Sequence, residues 1–199
     1  MRPALILASK SAVRADLLRA AGLEPTIQPA PIDERGLEAA WSAGNLSPVA
    51  VARSLAEEKA KAVSSAFPQP LVIGADQTMA LGEERFTKAA NLAAAREKLL
   101  RLRGRTHQLH SAYAIAREGA VVASGVASAS LTMRAFDEAF LDAYLARAGA
   151  SILASVGCYQ LEHLGVTLFE RIEGDYFTIL GLPLLPLLAD LRSAGLDGI

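Results

Sequence analysis

The run Leu71-Val72-Ile73-Gly74-Ala75-Asp76-Gln77 is apolar until it ends abruptly in a carboxylate and an amide, and it constrains the fold more than any other stretch. A short β-branched run after Pro68 and Pro70 reads as a buried strand. In open α/β sheets ligands bind beyond the carboxyl ends of such strands, so Asp76 is expected at that rim. An aspartate that merely begins a turn by accepting backbone N–H groups fits the same seven residues. The rest of the chain has to decide between the two.

Residues 4–8 read as another buried strand, and Ser11 as the N-cap of a helix over 12–21 closed by Gly22. A strand feeding a helix N-terminus makes an anion site, because free N–H groups and the positive end of the helix dipole face one point. Ser9 and Ser11 add hydroxyls there, and Arg14, one turn along, can reach back. A hydroxyl cap with a solvated arginine explains the same residues. Segment 25–35 reads as extended chain and loop carrying Asp33 and Glu34. Ser47-Pro48 predicts a helix start, with termination near Phe67. Lys59 shares the face of Ala52, Leu55 and Val63, whereas Lys61 points elsewhere. A lysine on a packing face either snorkels to water or neutralises an anion.

Beyond Asp76 the sequence predicts a hairpin over 78–86 turning at Gly82, which delivers Lys88 into a short connection. Asn91 then caps a helix with Leu92, Ala95, Leu99 and Leu102 on one face. Residues 108–116 and 120–133 read as an antiparallel pair joined through Glu118-Gly119. A helix follows from Asp137 toward Arg147, then a strand over 166–169, and Pro183 at the first position of a C-terminal helix ending near Ala194. Alternating strands and helices with one long hairpin predict an α/β fold on a mixed sheet, as one domain over residues 1–199.

Composition removes several functions. The chain is 52% hydrophobic, with 20 basic and 21 acidic residues and a net charge of −1, so nothing drives it toward a nucleic-acid polymer or an anionic membrane. One cysteine, Cys158, rules out an intramolecular disulfide and suggests a reducing compartment; a buried thiol is its expected role. The short apolar start and the prolines at 183 and 186 give no membrane segment, which predicts a soluble, unprocessed protein. His107, His110 and His163 lack zinc-ligand spacing, and no Walker loop or Gly-x-Ser-x-Gly occurs.

What the chain does supply is an inventory for a polyphosphate. Ser9, Ser11, Arg14, Lys59 and Lys88 can hold phosphate oxygens, while Glu34 and Asp76 offer the hard oxygen ligands that Mg²⁺ prefers. A carboxylate near such a metal can also orient or deprotonate an attacking water.

The segment Leu5-Ile6-Leu7-Ala8-Ser9-Lys10-Ser11-Ala12-Val13-Arg14, followed by Leu17-Leu18, resembles the opening signature of the Maf family of nucleoside triphosphate pyrophosphatases. Further matches keep the family's order: Ile32-Asp33-Glu34, Glu58-Lys59-Ala60, Ile73-Gly74-Ala75-Asp76-Gln77, Gly104-Arg105-Thr106-His107, and Ile172-Glu173-Gly174-Asp175-Tyr176 leading to Gly181-Leu182-Pro183-Leu184. The resemblance implies an elongated mixed sheet with flanking helices, two lobes around a cleft, related to the inosine-triphosphatase-like fold. It also implies a cytoplasmic, metal-dependent enzyme, using Mg²⁺ or Mn²⁺, that cleaves a nucleoside triphosphate between the α and β phosphates; homodimers are common in the family. Carried over, Ser9, Ser11 and Arg14 hold phosphates, Glu34 and Asp76 bind metal or activate water with Asp76 as the base, and Lys59 and Lys88 neutralise the triphosphate.

Three positions depart from the pattern: Ala12 stands for a proline, Ala15 for a second arginine and Ala89 for a proline. One branch of the family acts on pyrimidine triphosphates such as dTTP and UTP, another on 7-methyl-GTP. Gln77, Glu162 and Leu168-Phe169-Glu170-Arg171 resemble the second, and the Glu162 carboxylate could accept the N1–H and amino group of a guanine. Gly157-Cys158-Tyr159 sits nearer the first, and the reading leans to the methylated guanine nucleotide. The alternatives are a nucleotide-binding regulator of septum formation without significant turnover, and a phosphohydrolase releasing orthophosphate.

Overall fold

The computed structural model describes residues 4–42 and 46–196. Among the described residues seven strands form one sheet flanked by helices, in the order β2 (Thr26–Ile27), β1 (Leu5–Leu7), β3 (Leu71–Leu81), β5 (Thr106–Arg117), β6 (Ala120–Met133), β7 (Phe169–Glu173), with β4 (Glu84–Phe86) paired to β3. The mixed α/β character expected from the sequence is thus present. The chain divides into two compact units, one of Met1–Gln77, His110–Ala127 and Asp175–Ile199, the other of Thr78–Leu109 and Ser128–Gly174.

In the first unit β1 (Leu5–Leu7) lies parallel to both β2 (Thr26–Ile27) and β3 (Leu71–Leu81), with Leu7 opposite Ile73. Side chains alternate along each strand and sort into two packed layers. Leu5, Leu7, Leu71, Ile73 and Ala75, joined by Tyr113 and Ile115 of β5 (Thr106–Arg117), pack with Leu18 of α1 (Ala12–Ala20) and with Leu184, Leu187 and Leu191 of α7 (Leu184–Ser193). The other layer is small: Ala112, Ala114 and Ala116 of β5 meet Ala52, Ala56 and Ala60 of α3 (Pro48–Ala66). Gly74 of β3 completes that layer. A Cβ there would lie 2.1 Å from the Ala56 carbonyl oxygen and 2.6 Å from the Ala60 nitrogen, so the missing side chain is what lets helix and strand backbones touch.

Helix ends follow local chemistry. Ser11 and Ser47 accept from the N–H groups three residues on, at 3.4 and 3.3 Å, as expected. The segment expected to be loop through Arg35 instead becomes helical at Glu34, the first residue of α2 (Glu34–Ser42). Asp33 is its cap, taking the Gly36 N–H at 3.1 Å, and a Cβ on Gly36 would come within 2.5 Å of the Asp33 carboxylate. Likewise Pro183 is the cap of α7 and Leu184 its first residue, one position later than expected. The short helix α6 (Tyr176–Ile179) is capped by Asp175.

In the second unit the end of β3 turns at Gly82, φ +62°, into β4 (Glu84–Phe86), with Met79 opposite Phe86. Asn91 caps α4 (Leu92–Leu102) and Asp137 caps α5 (Glu138–Ala148). Leu92, expected on the packed face of α4, is exposed, while Ala95, Lys98, Leu99 and Leu102 are buried. The strand expected at 166 begins at Phe169 as β7 (Phe169–Glu173), because Leu164–Leu168 winds into a 3-10 turn. There β7 runs antiparallel to β6 (Ala120–Met133), with Leu131 opposite Ile172.

Candidate active site

Parallel pairing of β3 with β1 stops at Ile73, but β3 itself continues to Leu81. Asp76 therefore stands midway along a long strand rather than at its end, as the apolar run had implied. It is at a rim only with respect to β1, whose last pairing is donation of the Ala8 N–H to the Ile73 carbonyl at 2.7 Å. The next carbonyl on that edge of β3, that of Ala75, has no strand beside it. Arg14 takes the vacancy, donating from Nη1 at 2.8 Å.

Asp76 follows Gly74 at the two-residue period and so faces α3. Lys59, one residue before Ala60 on that helix, meets it: Nζ donates to Asp76 Oδ1 at 2.7 Å and lies 3.0 Å from Glu34 Oε1. The lysine and Asp76 side chains are only 9% and 12% exposed, against 50% for Glu34. An ammonium this far out of water needs such partners, since leaving a buried charge unpaired is worth roughly 3–5 kcal/mol. Three residues singled out from the sequence, on α2, α3 and β3, thus converge on one nitrogen. Of the two roles open to Lys59, snorkelling to water is removed.

Ser9 lies on the loop between β1 and α1. Its Oγ accepts from the Ser11 N–H at 3.3 Å and from Arg14 Nη1 at 3.1 Å, which leaves the hydroxyl proton to donate. Ser11 Oγ likewise accepts from the Arg14 N–H. Arg14 also donates from Nε to the Gly181 carbonyl at 2.8 Å. Two of its nitrogens, Nε and Nη1, are thus held by the protein. Burial lowers the guanidinium below its ordinary value, opposed by the carboxylates of Asp76 and Glu34. Gln77 donates from Nε2 to Ser111 Oγ at 2.9 Å and to the carbonyls of Thr178 and Ile179 at 3.2 and 3.0 Å. Ser111 and Thr178 escaped the sequence reading because their partners lie far away in the chain; the motifs at 172–176 and 181–184 flank Thr178, and no local pattern marks Ser111.

The remaining two candidates belong to the second unit. Lys88 is exposed in the connection between β4 and α4, and Glu162 is half-buried just before the 3-10 turn Leu164–Leu168. Lys98, buried on α4, binds the carbonyls of Thr87 and, at 2.9 Å, Val156, bracing the chain next to Lys88. Cys158 is buried as expected, and desolvation pushes its thiol up. His107 donates to or accepts from Tyr159 Oη at 2.6 Å, and burial lowers it to about 4.

For a metal, the relevant donors are Asp76 and Glu34, two carboxylates drawn to one point. Among the described residues no group of three or more His, Cys, Asp or Glu side chains could hold an ion. A carboxylate pair fits Mg²⁺, which takes one or two protein carboxylates and completes its shell with phosphate oxygens and water. No described helix is long and apolar enough to cross a membrane.

Known proteins resemble the chain over nearly its whole length. The chain is 52% identical, over the full length of both proteins, to the 7-methyl-GTP pyrophosphatase of Mesorhizobium japonicum. It is 56% identical to the nucleoside triphosphate pyrophosphatase of Bradyrhizobium diazoefficiens, over 98% of this chain and 96% of that one. The protein of the same name from Rhodopseudomonas palustris is 53% identical over 94% of this chain and 92% of its own. The family model described as Maf-like protein matches residues 4–194, and the chain belongs to that family.

Proposed function

We propose that the chain is a nucleoside triphosphate pyrophosphatase, hydrolysing its substrate between the α and β phosphates to a nucleoside monophosphate and pyrophosphate. The observation that carries this reading is the buried Lys59 nitrogen held between Asp76 and Glu34. It sits in the same unit as the hydroxyl-lined start of α1. Fixed positive charge, N–H donors and a carboxylate then act on one substrate.

In this reading the Ser9 and Ser11 hydroxyls, the Arg14 guanidinium and the first N–H groups of α1 hold phosphate oxygens. Asp76 takes a proton from a water molecule as the water oxygen attacks the α phosphorus. The bond from that phosphorus to the oxygen bridging to the β phosphate breaks, and pyrophosphate leaves. Lys59 fixes the Asp76 carboxylate and offsets charge on the phosphates. Asp76 and Glu34 would hold a divalent cation, Mg²⁺ or Mn²⁺, which supplies charge neutralisation at the phosphates when bound. Lys88 adds a cation, and Glu162 is the candidate reader of the base.

Two of the relatives named above carry the broader name and one the 7-methyl-GTP name. Glu162 supports the guanine class, which makes clearance of a modified nucleotide the preferred reading. The test is product chromatography with purified protein and Mg²⁺ on dTTP, UTP, CTP, GTP and 7-methyl-GTP, with Asp76→Asn alongside. Monophosphate plus pyrophosphate from 7-methyl-GTP is expected. Orthophosphate as the first product, or nucleotide bound without turnover, would overturn the reading.

A further inference from the structure

Segment 175–181 has no part in the chemistry just described, yet its backbone is tied to both neighbours of Asp76. On one side, Arg14 bridges the Ala75 carbonyl and the Gly181 carbonyl, each at 2.8 Å. On the other, the Gln77 amide reaches the Thr178 and Ile179 carbonyls, and Ser111 Oγ donates to the same Thr178 carbonyl at 2.7 Å. Asp175 holds Thr178 in turn, accepting from its N–H at 3.0 Å and from its hydroxyl.

Ser111 and Thr178 are fully buried. Gly181 has φ +100°, a conformation that L side chains rarely adopt, and its Cα lies beside both side chains: a Cβ on it would meet Arg14 Nε at 3.4 Å and the Gln77 amide carbon at 3.8 Å, ordinary contact distances, so conformation rather than space calls for glycine. Alternation along β3 sends Gln77 away from α3 while Asp76 faces it. A side chain on one layer therefore fixes the backbone that presents the carboxylate on the other.

We propose that segment 175–181 is a strap that positions Asp76, with Gln77 and Ser111 as positioning residues and not substrate ligands, Arg14 serving the strap as well as the phosphates. This rests on the pyrophosphatase reading for its catalytic consequence, though not for the strap itself. A base displaced by an ångström can lose about a hundredfold in rate with binding unchanged, because only the reacting geometry is disturbed.

The experiment pairs Gln77→Met, similar in length but without donors, with Gln77→Glu. Turnover of 7-methyl-GTP and UTP is followed from pH 5 to 9, together with amide hydrogen exchange of the β3 peptide. Gln77→Met is expected to lower kcat roughly ten- to a hundredfold with KM within about twofold, and to speed exchange around residues 75–77. Gln77→Glu, whose carboxyl can donate to the carbonyls only when protonated, is expected to lose activity relative to the parent as pH rises. A raised KM with kcat unchanged would identify Gln77 as a substrate ligand and overturn the proposal, as would unaltered exchange. Should the parent turn over no nucleotide while Gln77→Met still speeds exchange, the strap stands and the pyrophosphatase reading fails.

Discussion

The two layers of the first unit are built from different residues and do different work. On one side of the sheet leucines and isoleucines interdigitate with α1 and α7; on the other, alanines and Gly74 bring α3 almost into backbone contact with β3. Large side chains remove more apolar surface from water, at about 25 cal/mol per Å², so the leucine layer supplies more stability than the alanine layer. The alanine layer gives less burial and closer approach. That approach carries the Lys59 nitrogen to 2.7 Å from Asp76.

The contrast can be broken most directly at the carboxylate. Asp76→Asn keeps the shape and an acceptor for Lys59, and should reduce kcat by roughly 10²–10⁴ while nucleotide binding, followed by calorimetry, persists. Next comes Gly74→Ala. Its methyl must push α3 away from β3, with about a hundredfold expected loss of kcat and about 1–3 kcal/mol of stability. Leu18→Ala tests the other layer: a fully buried leucine removed from the α1 packing should cost about 2–5 kcal/mol in urea unfolding, with kcat of the folded protein unchanged. A fall in kcat matching that of Gly74→Ala would erase the distinction between the layers.

Charge burial sharpens the same comparison. Lys59 is buried against two carboxylates, whereas His107, in the second unit, is buried against a phenol and lowered to about 4. The unfolded chain takes up a proton near pH 6.5 that the folded chain refuses until about 4. His107 therefore contributes stability that is fully present above pH 6.5 and lost as pH falls toward 4, at about 1.4 kcal/mol per unit and roughly 3 kcal/mol in all. Urea midpoints between pH 7 and 4.5 should fall less steeply in His107→Gln, which can still reach Tyr159 but does not titrate. The smallest effect belongs to Lys61, two residues from Lys59 but half-exposed and paired with Glu58 within α3. Lys61→Ala should shift stability by less than about 0.5 kcal/mol and leave turnover unaltered.

Much of this was written locally. Ser11, Ser47, Asn91 and Asp137 announce helices because a cap acts on N–H groups within three residues. The stripe through Leu55, Lys59 and Val63 placed the lysine on the packed face for the same reason of short period. One local cap went unread, and the rest of what sequence reading missed depends on distant partners. The Asp33 carboxylate and Gly36 start a helix where proline and adjacent acids suggested loop. The polar residues after Ala75 looked like the end of a strand; Asp76 and Gln77 remain within it because Lys59, Ser111 and segment 178–179 satisfy their side chains. Ser9, Ser11, Arg14, Glu34, Lys59, Asp76 and Gln77 fall in one unit, and Lys88 and Glu162 in the other. The motif order gave no hint of that division.

Asp76 stands in mid-strand, and a strand has only two ways to face. A slip of β3 by one residue would present Ala75 or Gln77 to Lys59 and turn the carboxylate into the leucine layer. Molecules misaligned in this way would be silent rather than sluggish. Turnover in a preparation would then count correctly registered molecules, and partial activity after refolding would measure a mixture of two populations instead of a uniformly weakened enzyme.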